Sequence, residues 1–333
     1  MKNDKEFDVK ITLPAVGLGT WGGRSVDEVA DAVLCALKLG YRHIDTAWIY
    51  TFAEEATGQA LRKWLGARTH EDASASFSKE QADSSAETPS RKDLIIATKL
   101  WTTFMAPEHV LLGVEQSLAR LGLSYLDLLY VHWPILKPFS GAETHPVDEI
   151  IQPRFATNIE LADTWRLMEA LVDQGKVRLL GLCNVTVAMI GEILAVARIK
   201  PAVVQVEMHP YLPQDDLVEF CARHGIAVVA YSPLGSPGSI FKDDTTPVLL
   251  RDPVVTAIAA KHAVEPAQIL LSWSIQRGIK VIPKSTNPAR LLTNLHPDVP
   301  LDADDLARLA TLGIKHVRYF DPNKLFGVNL FQE

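Results

Sequence analysis

The chain has 333 residues, 47% hydrophobic and 22% charged, which excludes a disordered or fibrous protein and is ample for a large core. Its 33 Lys and Arg stand against 40 Asp and Glu, and the net charge of -7 argues against nucleic-acid and anionic-membrane partners. The opening MKNDKEFDVKITL lacks the apolar core of a signal peptide, and no run approaches the roughly 18 apolar residues of a membrane span, so a cytoplasmic protein is expected, a monomer by default. Cys35, Cys183 and Cys221 show no C-x-x-C spacing and suggest neither a disulfide framework nor a zinc knuckle.

In chain order, FDVKIT (7–12) reads as one arm of a β-hairpin plugging the bottom of a barrel. AVGL (15–18) is the first of eight short apolar runs and overlaps Gly17-Leu18-Gly19-Thr20-Trp21-Gly22, a match to G-x-G-x-x-G. Asp45 closes the next run about where a ribose-binding acid would stand, so a Rossmann unit is one reading. That fingerprint requires its glycines to open the helix. Here the helix starts later, at Ser25, which forms a capping box with Glu28 ahead of Val26, Val29, Ala30, Val33 and Leu37 at helical spacing. The glycines therefore read as a tight strand-to-helix turn.

YRHID (41–45), DLIIAT (93–98), LDLLYVH (126–132), VRLLGL (177–182), VVQVEM (203–208), IAVVAY (226–231) and KVIP (280–283) complete the set. These runs are continuous rather than alternating, as expected of parallel strands buried on both faces. Amphipathic stretches between them, such as Leu161, Trp165, Met168 and Val172, supply the covering helices. Eight βα units with right-handed crossovers predict an α/β fold, a single (β/α)8 TIM barrel spanning 1–333, with its working residues just after the strands at the C-terminal face. Residues 66–91, rich in Ala, Ser, Glu and Asp, read as a mobile surface insertion, and 137–156 as the loop in which substrate contacts would sit. The tail YFDPNKLFGVNLF (319–331) carries aromatics without helical period and is expected to fold over the barrel mouth.

Asp45, Lys99 and His132 end the second, third and fourth strands, and Tyr50 follows five residues after Asp45. Reducing a carbonyl needs hydride at carbon and a proton at oxygen in one transition state. Tyr50 can give the proton, Lys99 can lower the phenol's pKa from its ordinary value of about 10, and Asp45 can hold Lys99 charged and aimed. A neutral His132 can donate a hydrogen bond to the substrate oxygen. No side chain supplies hydride, so a cofactor is implied. Two rivals use the same strand ends: a metal-dependent barrel hydrolase with His43, Asp45, His132, Glu207 and His209 as ligands, and a non-catalytic NADPH-binding barrel. The first leaves Tyr50 and Lys99 without roles, and the second does not need all four of Asp45, Tyr50, Lys99 and His132.

The ordered motifs GLGTW (17–21), HIDTAWIY (43–50), TKLW (98–101), DLLYVHWP (127–134), GK (175–176), GLCNV (181–185), PAVVQVEMHPYLPQ (201–214), AYSPLGS (230–236) and VIPKS (281–285), with Arg290, resemble the aldo-keto reductase superfamily. The resemblance spans nearly the whole chain except 66–91. It implies an NADPH-dependent reductase of small aldehydes or ketones, with Asp45, Tyr50, Lys99 and His132 catalytic and no metal. It further implies that Thr20 and Trp21 meet the cofactor, that Asn184 and Gln205 hold the carboxamide, and that Tyr231 stacks on the nicotinamide. Ser232, Leu234 and Ser236 would line the pyrophosphate, Lys284, Ser285 and Arg290 the 2′-phosphate, and Asn294 the adenine. A guanidinium and an ammonium suit a phosphate that NADH lacks. Trp21, Trp48, His132 and Trp133 would wall the substrate pocket. The chain departs from the pattern at Cys183 for serine, Asn287 for threonine and Thr293 for an acidic residue.

Overall fold

The computed structural model describes residues 12–66, 90–139, 141, 160–237 and 245–331. Most of the expected hairpin at 7–12, most of the 66–91 insertion and most of the 137–156 loop lie outside the described residues. Arg91, placed in the insertion by its composition, belongs to the barrel: it pairs with buried Asp127 at 2.6 Å and lies over Tyr125.

Eight strands pair in sequential order, all parallel: β1 Leu18–Gly19, β2 His43–Asp45, β3 Ile95–Leu100, β4 Leu126–Val131, β5 Val177–Cys183, β6 Val203–Glu207, β7 Ala227–Tyr231 and β8 Lys280–Val281. A parallel bridge between Val16 and Val281, with Gly17 N donating to Val281 O at 2.8 Å, closes the sheet into a (β/α)8 barrel. Closure removes both sheet edges and leaves nearly every strand residue buried.

Helices α1 Val26–Leu39, α2 Ala53–Gly66, α3 Pro107–Leu121, α4 Leu161–Asp173, α5 Val187–Val196, α6 Asp215–Arg223, α7 Pro253–His262 and α8 Pro266–Gln276 follow the strands, with α9 Pro288–Leu295 after β8. Their apolar stripes pack on the barrel exterior: Val29, Val33 and Leu37 from α1, and Trp165 and Met168 from α4, are buried in the larger core cluster. Ser25 caps α1 by accepting from Glu28 N at 3.2 Å. The reciprocal arm of the expected capping box is not made, because the Glu28 carboxylate instead receives the Arg24 backbone N–H at 2.8 Å and pairs with its guanidinium. No single helix among the described residues is long and apolar enough to cross a membrane.

The glycines of the misleading fingerprint serve strand packing. A Cβ on Gly17 would lie 2.6 Å from the His43 ring and one on Gly19 2.7 Å from Ile282 O, so these positions let β1 approach its neighbours closely. The helix begins beyond them, at Val26, which excludes the Rossmann geometry.

Inside the barrel, Ile95, Ala97, Leu128, Tyr130, Cys183, Val203, Val229 and Ile282 form a second apolar cluster. Register links these positions: Ala97 pairs with Leu128, Cys183 with Gln205, Val203 with Ala227, and Gln205 with Val229. Because side chains alternate along a strand, Asp45, Lys99, Gln205, Glu207 and Tyr231 share the parity of this inner cluster. They form the layer above the apolar plug, at the C-terminal ends of the strands.

Candidate active site

Asp45 is the last residue of β2, and one carboxylate oxygen accepts from Lys99 Nζ. The other accepts from Gln205 Nε2 at 2.7 Å, and Lys99 also donates to Thr46 O at 2.8 Å. Asp45 and Lys99 are each 1% exposed, so the pair exists in a medium that leaves neither charge to water. Tyr50 lies in the turn before α2, with the Lys99 ammonium 5.1 Å from its ring centroid. The His132 ring meets it edge-on at 5.6 Å.

Burial outweighs the lowering effect of the Lys99 charge and hydrogen bond and leaves the Tyr50 phenol raised to about 12. The sequence expectation that Lys99 brings the phenol toward the working pH thus holds in direction, but desolvation outweighs it. Burial also works against the Lys99 ammonium, yet Asp45 and Tyr50 leave its pKa raised. Burial, then the nearby Lys99 charge, hold His132 well below the ordinary histidine value, so its imidazole is neutral near pH 7 and able to donate a hydrogen bond.

These residues stand at one end of a cleft of about 1200 Å³. Asp45, Tyr50 and His132 line it, and Lys99 sits beneath, held by Asp45. All the residues expected at the cofactor line the same cleft: Thr20, Trp21, Asn184, Gln205, Tyr231, Ser232, Leu234, Ser236, Lys284, Ser285, Arg290 and Asn294. Asn184, Ser232 and Ser236 adopt left-handed backbone at φ 57°, 51° and 43°, a conformation that costs non-glycine residues about 1 kcal/mol or more and gathers at functional sites. Asn184 donates to His132 O at 2.8 Å and accepts from the Tyr231 hydroxyl at 2.7 Å, tying β5 and β7 to the end of β4.

At the far end Lys284, Ser285 and Arg290 surround the start of α9. Asn287 caps that helix by accepting from Arg290 N at 3.0 Å, so its departure from threonine keeps a capping side chain. Thr293 lines the cleft, but its hydroxyl bonds back to Ala289 O and Arg290 O within the helix. Partial burial, with the charges of Arg24 and Arg290, lowers the Lys284 pKa, despite Glu28. Mutually repelling cations at a helix N-terminus are suited to a dianionic phosphate. The chemistry of this donor set fits a phosphorylated dinucleotide.

Trp21 and Trp133 line the cleft as expected, whereas Trp48 is not among the described residues that line it. Its indole N–H donates to Gln116 Oε1 at 2.8 Å, its ring packs on Phe104, and Arg120 lies over it. Trp48 thus joins the turn to α3. The walls that motif reasoning did not place are Trp101, edge-on to His132 at 5.3 Å, and Phe320 and Phe326 from the tail. Phe326 packs on Trp133 at 5.1 Å, and Phe320 on Trp21 at 5.3 Å. The aromatic tail over the mouth was foreseen as a segment, not residue by residue. Cys183 is buried, and desolvation pushes its thiol well above the ordinary value.

The ligand set of the metal-hydrolase rival is not assembled. Asp45 is spent on Lys99 and Gln205, and Glu207 on His209 and two backbone amides. Asp302, Asp304 and Asp305 make the only group with metal-ligand spacing among the described residues, and Lys261 and His262 already pair with it.

Parallel strands closed around such a cleft define a (β/α)8 barrel with its working face at the strand C-termini. Comparison sharpens the class. The model of the aldo/keto reductase family matches residues 15–314. Aldo-keto reductase family 1 member A1 of Cricetulus griseus and of Homo sapiens are each 39% identical over 311 residues, 93% of this chain and 89% of theirs. The solved aldose reductase of Giardia lamblia superposes with a TM-score of 0.82 at 36% identity, covering 96% of this chain and 98% of that one. That of Schistosoma japonicum gives 0.79 at 35%, covering 96% and 95%. The chain belongs to the aldo-keto reductase family, oxidoreductases that reduce carbonyl groups with nicotinamide cofactors.

Proposed function

We propose that this chain reduces an aldehyde or ketone to the alcohol with NADPH, Tyr50 acting as general acid, on a substrate with an apolar or aromatic surface beside its carbonyl. The observation that carries this reading is the buried Asp45–Lys99 pair beneath Tyr50 with a neutral His132 alongside, all at one end of a cleft whose other end is cationic. When bound, the nicotinamide supplies hydride to the carbonyl carbon.

The remaining requirements fall to the chain. His132 donates a hydrogen bond to the carbonyl oxygen and fixes its direction. Tyr50 hands its hydroxyl proton to that oxygen as negative charge grows there. Lys99 stabilises the phenolate left behind, and Asp45 keeps Lys99 charged in a place where an ammonium alone would be costly. Trp21, Trp101, Trp133 and Phe326 exclude water and favour an apolar substituent. The net charge of -7 supports a small-molecule partner rather than nucleic acid or an anionic membrane, and the same reading takes the protein as a cytoplasmic monomer.

NADPH consumption measured against a panel of aldehydes and ketones tests the reading. Wild-type protein is expected to turn over at least the aromatic aldehydes. Tyr50→Phe should lose about 10²–10⁴ in turnover while titrating NADPH with nearly unchanged affinity. Undiminished turnover in that variant would sink the assigned role.

A further inference from the structure

Glu207 ends β6, two residues after Gln205, and is wholly buried without lining the cleft. A carboxylate in that position is costly unless it is paired. Its partners come from the C-terminal segment: Oε1 accepts from Tyr319 N at 2.6 Å and Oε2 from Phe320 N at 2.8 Å. His209 Nε2 stands 2.9 Å from Oε1, and the Tyr319 ring lies 4.9 Å from the His209 ring. One side chain of the barrel thus binds two successive amides of a tail that belongs to no strand.

The held backbone leads directly into the cavity wall. The Phe320 ring meets Trp21 at 5.3 Å and Tyr231 at 5.7 Å, and all three line the cleft. Tyr231 is itself the sheet neighbour of Glu207. The same segment is fastened once more upstream, where Val317 N donates to Tyr211 O at 3.1 Å and Lys315 pairs with Asp252 at 2.6 Å. Those anchors set where the tail crosses the barrel, whereas the Glu207 clamp sets the height and direction of Phe320.

We propose that Glu207, backed by His209, is a positioning residue for substrate specificity: by holding the Tyr319 and Phe320 amides it places the Phe320 wall against which a bulky aromatic aldehyde rests. This rests on reading the cleft as a carbonyl-reductase site. Small aldehydes that fill only the space between Tyr50 and His132 do not depend on that wall. Hydrogen bonds to a charged acceptor are strong enough that weakening them changes local opening by on the order of tenfold or more.

Two readouts on the full chain test it, amide hydrogen exchange and steady-state kinetics with propanal and 4-nitrobenzaldehyde. In Glu207→Gln the Tyr319 and Phe320 amides should exchange at least about tenfold faster, because a neutral amide offers one acceptor where the carboxylate offers two. KM for 4-nitrobenzaldehyde should rise about tenfold while kcat and the propanal KM stay within about twofold. Unchanged exchange, or equal kinetic losses on both aldehydes, overturns the proposal, since a merely structural defect would not discriminate between them. Should Glu207→Gln fail to fold, exchange in the wild type and Phe320→Ala decide the matter. The two amides must be protected like those of the barrel strands, and Phe320→Ala must raise the ratio of the two KM values. If the wild type reduces neither aldehyde, the reductase reading fails, and the exchange data still judge the clamp.

Discussion

Asp45 and Gln205 at the cleft, and Lys99 just beneath it, stand on strands whose ladders fix their direction, whereas Trp21, Phe320 and Phe326 reach the cleft from a turn and a tail that no ladder holds. On the strand side, position follows from parity, because a slip of one residue would turn the whole inner layer outward and bury the wrong face. On the tail side, position depends on a few side-chain clamps, Glu207 on Tyr319 and Phe320, and Asp252 on Lys315. The same cleft therefore joins a chemical half held by the barrel to a recognition half held by individual hydrogen bonds. Substitutions in the first should change whether the reaction occurs, and in the second what it acts upon.

The largest effect is expected from Lys99→Met, which strikes the strand side twice. It leaves Asp45 as a buried unpaired charge, costing about 3–5 kcal/mol of stability, and it removes the one cation that opposes burial at Tyr50. Without that cation the phenol pKa rises further, and turnover should fall by about a hundredfold or more. The double variant Asp45→Asn with Lys99→Met should recover much of the stability and none of the turnover. Denaturant titration beside kinetics separates the two, and recovered activity in the double variant would contradict the assigned chemistry.

A smaller loss is expected at the other end of the cleft. Arg290→Ala should weaken NADPH by roughly ten- to a hundredfold, since charge-assisted hydrogen bonds contribute about 1.5–3 kcal/mol each, and should leave NADH nearly unchanged. Fluorescence titration of both nucleotides gives the answer. Equal losses for the two would mean that Arg290 meets something other than the 2′-phosphate.

The smallest effect sharpens the boundary between the halves. Trp48→Phe removes an indole N–H bonded to Gln116 at 2.8 Å and should destabilise the fold by about 1 kcal/mol. KM for aromatic aldehydes should not move, because Trp48 packs on Phe104 and Arg120 rather than on the cleft. A severalfold KM change would return Trp48 to the pocket wall where its motif had placed it.

The sequence by itself determined the barrel, the order of its strands and the four residues that carry the proposed chemistry. Continuous apolar runs separated by amphipathic stretches allow few topologies, and residues at strand ends in such a fold point to one mouth. Asp45, Lys99 and His132 were legible because strand direction and alternation are local properties of the chain. Only the tertiary structure decided which tryptophan faces the cleft, because Trp48 sits in a turn and Trp101 lies just past the end of β3, beyond the ladders that dictate direction. It alone revealed that Glu207 and His209, plausible as metal ligands in one dimension, are spent otherwise, Glu207 on the tail 112 residues away in sequence and His209 on Glu207. It also set the balance at Tyr50, where the cation expected to lower the phenol is present, yet burial, a property of the whole fold rather than of any motif, exerts the larger effect.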